Sequence, residues 1–235
     1  VRPDILEKVI IAPLREIIDR GGKSWRSYAL LLCIDAVGGN SFNYQHWLAM
    51  PEMMHVGSLI VDDIQDKSEL RRGGPTCHVK HGEPIAINAG TAAYFIAMHI
   101  LQSRTPDLSP QMRVRLYDLY FLTLRAGHCG QGFDIYGLDY RLNECIETGD
   151  TQDLLKAVIS THRLKSAVPA GNLARMGAEI GGGTAEQVEA LGFYFESIGI
   201  AFQLIDDVLN LASTQLGKIN GEDLHEGKIT YPVVR

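Results

Sequence analysis

The sequence predicts an all-α fold, one helical domain spanning residues 1–235. Three observations carry that expectation. Apolar residues recur at helical spacing in segment after segment, as at Met50, Met53, Ile60, Val61 and Ile64. No run of any length alternates apolar and polar residues in the way a half-buried strand does. Glycine clusters and short polar stretches punctuate the chain at helix-length intervals, with no internal repeat or low-complexity segment.

Taken in order, residues 4–19 (DILEKVIIAPLREIID) read as an amphipathic helix with Pro13 as a kink, ended by Gly21 and Gly22. A second helix covers 27–37, and residues 38–40 form a loop. The central helix covers 44–68, followed by a loop at 73–75. Residues 83–102 are helical and rich in small residues, which allow close helix approach or leave room for a ligand. A short linker at 105–110 leads to a long helix over 111–140 containing GHCGQGFD. Each interior glycine costs about 1 kcal/mol against alanine, which makes sense if a ligand or a neighbouring helix comes close. Residues 141–150 read as a polar loop, and 153–179 as a helix kinked near Pro169 and Gly171. Glycines 181–183 break the chain, Thr184 caps the next helix with Gln187 in capping-box position, and that helix runs to 212. Residues 213–221 are a polar loop, and 222–228 begin a further element.

Composition bounds the function. With 235 residues, 46% hydrophobic and 21% charged, the chain has ample core for one domain. A net charge of −6 argues against nucleic acid as the main partner. Cys33, Cys77, Cys129 and Cys145 form no CxxC pair and read as reduced thiols in a cytoplasmic protein. No apolar run approaches the roughly 18 residues of a membrane span, and no signal peptide is visible. The first residue is Val1, so the sequence is expected to continue beyond its ends.

The chemistry centres on residues 55–72, HVGSLIVDDIQDKSELRR. Asp62 and Asp66 lie one helical turn apart on one face, and Asp63 flanks them. Clustered carboxylates without His or Cys at ligand spacing suit a hard cation, Mg²⁺ or Mn²⁺. A lone DDxxD is equally consistent with a solvated acidic turn. A second stretch tips the balance. Residues 202–211, FQLIDDVLNL, place Asp206, Asp207 and Asn210 inside an apolar helical run, where carboxylates are costly unless paired or metal-bound. Two facing acidic helices can hold a diphosphate through bridging cations. Lys23, Arg26, His55, Arg71, Arg72 and Lys165 each have an ordinary reading as solvated or locally paired groups. Together with the carboxylates they suit two diphosphates, one held through metal and one by Arg and Lys.

GGKSWR (21–26), DDIQD (62–66) with ELRRG (69–73), GQGFDIY (130–136), FQLIDDVLNL (202–211) and EDLHEGKITYP (222–232) occur in the order found in one family. By these motifs the chain resembles the trans-isoprenyl diphosphate synthases of the geranylgeranyl diphosphate type. GGKSWR and GQGFDIYGLDY also resemble the prenyltransferase domains of fungal bifunctional terpene synthases, which fuse this domain to a cyclase. The resemblance implies a helical bundle of the isoprenoid synthase type with a central apolar cavity, a homo-oligomer, and condensation of an allylic diphosphate with isopentenyl diphosphate. It implies about three Mg²⁺ ions, replaceable by Mn²⁺, held by Asp62, Asp63, Asp66, Asp134, Asp206, Asp207 and Asn210. Arg71, Gln131, Lys165, Ser166, Gln203, Lys218 and Lys228 fall around the allylic diphosphate, and Lys23, Arg26, His55 and Arg72 around isopentenyl diphosphate. The residues at Gly57 and Ser58 set product length; both being small, the expected product is C20, with C25 as the alternative. Departures from the family are Ser27 in place of proline, Ser166 in place of threonine, and a short spacing from Asp206 to Lys218. Two rivals are a class I terpene cyclase, whose second motif has the NDxxSxxxE form, and a non-catalytic subunit, which would have lost one acidic motif.

Overall fold

The described residues of the computed structural model, 2–103, 108–212, 221–225 and 227–235, form helices and a single two-residue hairpin. In order they are α1 (Pro3–Leu6), a π segment (Glu7–Ile11), α2 (Ala12–Ile18), α3 (Trp25–Ala36), a 3₁₀ segment (Ser41–Leu48) and α4 (Ala49–Gln65). The hairpin pairs β1 (Leu70–Arg71) with β2 (Gly74–Pro75). Then come α5 (Cys77–His81), α6 (Glu83–Ser103), α7 (Pro110–Tyr136), α8 (Asp139–Thr148), α9 (Gln152–His162), a second π segment (Arg163–Ala167) and α10 (Val168–Ile180). The chain closes with α11 (Ala185–Ala212), α12 (Glu222–His225) and α13 (Tyr231–Val234).

Pro13 and Pro169 each follow a π segment. In a regular helix the ring of Pro13 or Pro169 would collide with the carbonyl four residues back. Here the turn widens first: Ala12 N–H donates to Glu7 O, and Val168 N–H to Arg163 O, each five residues back. The second widening carries Lys165 and Ser166, so the expected kink comes one turn before Pro169.

The element boundaries correct four sequence expectations. The central helix is α only from Ala49; before it lies the 3₁₀ turn, opened by Asn40, whose side chain accepts the Phe42 N–H. Asp66 is the C-cap of that helix, which ends at Gln65. The long helix stops at Tyr136, because Gly137 leaves it with φ +76°. Residues read as a polar loop form α8, whose Leu142 and Cys145 pack against Leu154, Val158 and Val234. The capping box is present as expected: Thr184 N–H donates to Gln187 Oε1 at 2.9 Å, and Gln187 N–H to Thr184 Oγ1 at 3.3 Å.

The core sits where α3, α4, α6, α7 and α10 meet, around Leu30, Trp47, Met50, Leu116, Tyr120 and Met176. Close approach depends on small residues. A Cβ at Gly57 would lie 2.6 Å from Gly90 O, so α4 and α6 cross almost in contact. A Cβ at Gly171 would lie 2.7 Å from Gly192 O, seating α11 on α10. By length and composition α6 and α11 could each cross a membrane, although the sequence reading found no such run. In the structure α6 lies along α4 and α11 along α10, and the Glu196 carboxylate of α11 pairs with Arg175 at 2.8 Å.

Candidate active site

Three cationic groups meet the acidic end of α4, two of them from distant segments. Lys165 Nζ, carried by the second π segment, lies 3.3 Å from Asp62 Oδ1 and 2.6 Å from Asp134 Oδ2. Gln131 on α7 donates to the same Asp62 oxygen at 2.8 Å. Arg71 stands 3.8 Å from Asp62 Oδ2, and Lys228 Nζ is 2.9 Å from Asp66 Oδ2. Burial works to raise the Asp62 carboxyl, but Lys165, Arg71, Gln131 and Lys228 together outweigh it and hold its pKa low. For Lys165 burial works downward, and Asp62 and Asp134 overcome it, so the ammonium is held charged. The glycines of GHCGQGFD now divide. A side chain at Gly130 would collide with the backbone of Lys165, whereas Gly127 and Gly132 face open space.

Asp63 does not join this cluster. It is fully buried, and its Oδ1 accepts Arg71 Nε at 2.7 Å and Arg71 Nη2. One residue on from Asp62 the helix turns about 100°, so the Asp63 carboxylate, expected with the metal set, meets Arg71 here. Asp63 orients Arg71 instead. The hairpin that carries Arg71 and Arg72 is clamped by Arg20, whose Nη1 donates to Arg71 O at 2.9 Å and Pro75 O at 2.8 Å. Arg72, at φ +50°, donates to Ile17 O at 2.9 Å and faces Glu52 at 3.6 Å. A Cβ at Gly22 would lie 2.7 Å from Arg72 Nη2, so the glycine pair before Lys23 makes room for that guanidinium.

A second, cation-rich region adjoins the first. Lys23 Nζ lies 4.6 Å from the Phe202 ring centre, Trp25 stacks on Phe202 at 5.5 Å, and Arg26 covers Trp25 at 4.7 Å. Burial lowers the Arg26 pKa to about 10, partly offset by Glu52. Burial, then Arg26, Arg72 and Arg71 push His55 well below the ordinary imidazole value, so it is neutral at pH 7. Arg26, Arg72 and Arg71 thus act on one neutral imidazole, with Glu52 as the carboxylate beside Arg26 and Arg72, a cation-rich setting that suits an anion.

On α11 the acidic residues separate in role. Asp206 is partly buried. Asp207 is buried, with Oδ2 2.8 Å from His162 Nε2 and 3.1 Å from Tyr231 N, and Oδ1 3.4 Å from Gln203 Nε2. Gln203 Oε1 accepts Ser166 Oγ at 3.0 Å. Asn210 Oδ1 faces Asp223 N at 3.4 Å, and Asn210 O accepts Gly221 N–H at 2.8 Å. Asp207 and Asn210, both expected among the metal ligands, here contact the C-terminal segment through Tyr231 and Asp223. Lys218 lies outside the described residues.

The remaining donors fit a hard divalent cation by their chemistry: Asp62, Asp66 and Asp206 offer carboxylate oxygen. Among the described residues no three His, Cys, Asp or Glu groups stand close enough to share an ion, and Lys165 and Lys228 lie against Asp62 and Asp66. Gly57 and Ser58 also part company. Gly57, expected to set chain length, is buried in the α4–α6 crossing. Ser58 is exposed and donates to His55 O at 2.8 Å. Tyr94 lies beside this turn: its ring would be 3.3 Å from a Gly57 Cβ, it stacks edge-on with His128 at 5.4 Å, and its phenol feels Asp62. Arg20 and His162 were not singled out from sequence; their partners lie far along the chain, and nothing local marks them.

A profile of the polyprenyl synthetase family matches residues 7–235. The geranylgeranyl diphosphate synthase of Methanosarcina mazei is 34% identical over 235 residues, covering 99% of this chain and 68% of that protein. The mitochondrial geranylgeranyl pyrophosphate synthase 10 of Arabidopsis thaliana is 36% identical over 216 residues, covering 90% of this chain and 61% of that one. A crystal structure of the geranylgeranyl pyrophosphate synthase of Corynebacterium glutamicum, complexed with isoprenyl diphosphate and magnesium, superposes with a TM-score of 0.78 at 30% identity. That match covers 94% of this chain and 65% of the other.

Proposed function

Since the chain belongs to the polyprenyl synthetase family, we propose that it is a divalent-metal-dependent trans-prenyltransferase. It joins an allylic diphosphate (dimethylallyl, geranyl or farnesyl) to isopentenyl diphosphate, giving a C20 prenyl diphosphate. The observation that carries this is the meeting of Asp62 and Asp66 with Lys165 and Lys228, brought from segments 103 and 162 residues away. Such a cluster can exchange carboxylate partners for phosphate oxygens without leaving any charge unpaired.

Asp62 and Asp66 on α4 and Asp206 on α11 would hold about three Mg²⁺ ions, with Mn²⁺ as a substitute, and Asp134 supports them through Lys165. When bound, the metal ions neutralise charge on the allylic diphosphate as its C–O bond breaks. Arg71, Lys165 and Lys228 turn to the same phosphate oxygens, while Gln131, Gln203 and Ser166 keep the carboxylates and Lys165 in register. Lys23, Arg26, His55 and Arg72 hold isopentenyl diphosphate, whose double bond attacks the allylic carbon. A C–C bond forms, a proton leaves for the departing diphosphate, and no side-chain nucleophile takes part. The tail runs from Asp62 past Ser58 toward Tyr94, and the allylic cation requires that water be kept from it there.

The reading extends to a homo-oligomer, supported by exposed apolar residues such as Ile87, Phe95 and Phe121. It places the protein in a reducing, cytoplasmic setting, supported by four unpaired cysteines. A fused cyclase domain would agree with the GGKSWR and GQGFDIYGLDY motifs. The test is incubation of the protein with each allylic diphosphate, labelled isopentenyl diphosphate and Mg²⁺, with chromatography of the products. A C20 diphosphate supports the proposal; a cyclic hydrocarbon formed without isopentenyl diphosphate points to a cyclase, and no product points to a non-catalytic subunit.

A further inference from the structure

Asp207 is the meeting point of three elements outside the diphosphate contacts. It is 3% exposed, and a buried carboxylate is costly unless its oxygens are filled by donors. His162, at the end of α9 and itself buried, places Nε2 2.8 Å from Oδ2. A carboxylate only accepts, so Nε2 carries the hydrogen. The Tyr231 N–H donates to that same oxygen at 3.1 Å. Tyr231 begins α13, whose Val234 packs on Leu154 and Val158 of α9. Lys228, the residue that meets Asp66, lies three positions before Tyr231 on the same segment. Three residues of extended chain reach about 10 Å, so whatever fixes Tyr231 limits where Lys228 can go.

We propose that His162 is a positioning residue: it locks the Asp207 carboxylate in the orientation that captures the Tyr231 amide, and thereby holds the strap carrying Lys228 over Asp66. This rests on the prenyl-transfer reading only for its kinetic consequence. A histidine that merely filled core space would act on stability alone. A latch acts on the strap and on the ligand that Lys228 contacts.

The test pairs two polar replacements. In His162→Gln the amide nitrogen reaches the position of Nε2; in His162→Asn it falls one bond short. In His162→Asn, amide exchange at Tyr231 is expected to rise about tenfold or more, with the rest of the bundle unchanged. The KM for the allylic diphosphate is expected to rise about tenfold, with that for isopentenyl diphosphate within about twofold. His162→Gln should stay near wild type in both readouts. Asp207→Ser, whose hydroxyl ends one bond short of the carboxylate oxygens, should release the Tyr231 amide by an independent change. Equal protection of that amide in wild type and in both His162→Asn and Asp207→Ser overturns the latch, and so does an identical response of the Gln and Asn variants. If exchange changes as expected in a protein that makes no prenyl diphosphate, the latch stands and the reading of the reaction fails.

Discussion

Lys228 Nζ stands 2.9 Å from Asp66 Oδ2, although the two residues are 162 positions apart. The contact brings the C-terminal segment back to the end of α4 and closes one side of the carboxylate cluster. Lys165 closes another through Asp62. Every carboxylate on this face of α4 is therefore matched by a cation that a diphosphate could also use.

Loss of a carboxylate from either acidic cluster should cut turnover sharply. Asp62→Ala or Asp206→Ala is expected to lower kcat/KM by about a hundredfold to a thousandfold, the scale of removing one preorganised electrostatic group. Folding should persist, since both residues are only partly buried. Steady-state assays with Mg²⁺ check this; turnover within a few-fold of wild type in both variants would refute the metal clamp.

The cation-rich region makes a separate forecast. Removing Arg26 or His55 deletes a group from the converging set around the neutral imidazole. Arg26→Ala and His55→Ala should raise the KM for isopentenyl diphosphate by about tenfold, as expected for one charge-assisted contact, and that for the allylic substrate less. A selective rise for the allylic substrate would mean the two sites are reversed.

The two residues expected to set chain length now predict different outcomes. A Cβ at Gly57 meets Gly90 O at 2.6 Å, so Gly57→Ala should cost about 1–3 kcal/mol in denaturant unfolding through overpacking. Ser58 is exposed and has room. Ser58→Phe should keep stability and shift products from C20 toward C15. An active Ser58→Phe enzyme with unchanged products would place the tail elsewhere.

His55 gives a pH dependence of defined sign. Burial and its three arginine neighbours lower its folded pKa below the unfolded value near 6.5. The unfolded chain therefore takes the proton first, and stability falls as pH drops through about 6.5. Asp62 does not confuse this window: its pKa is lowered, so its contribution is lost only below the ordinary carboxylate range near 4. Urea unfolding at pH 7.5 and 5.5 should show wild type losing about 1 kcal/mol more than His55→Gln. Equal losses in both proteins would show that His55 is not held neutral.

Local pattern made much of this fold legible. The helical spacing around Asp62 and Asp66, the Thr184–Gln187 cap and the small residues of α6 all act within a few residues, and the structure keeps them. What stayed hidden depends on partners distant in sequence. Gly57 looks the same whether it lines a channel or meets Gly90, and only the α4–α6 crossing decides. The contacts of Asp63 with Arg71 and of Asp207 with His162 likewise leave no trace in the local sequence. Helix α8 was missed because few apolar residues mark its buried face, and its packing partners lie on α9 and α13.

The central claim is that α4 and α11 grip one allylic diphosphate through divalent cations. Calorimetric binding of a non-ionising farnesyl thiolodiphosphate tests it directly. Tight binding is expected in Mg²⁺, with loss of about a hundredfold or more in chelator and in both Asp62→Ala and Asp206→Ala. Binding of equal strength with and without the metal, or in both variants, would contradict the account.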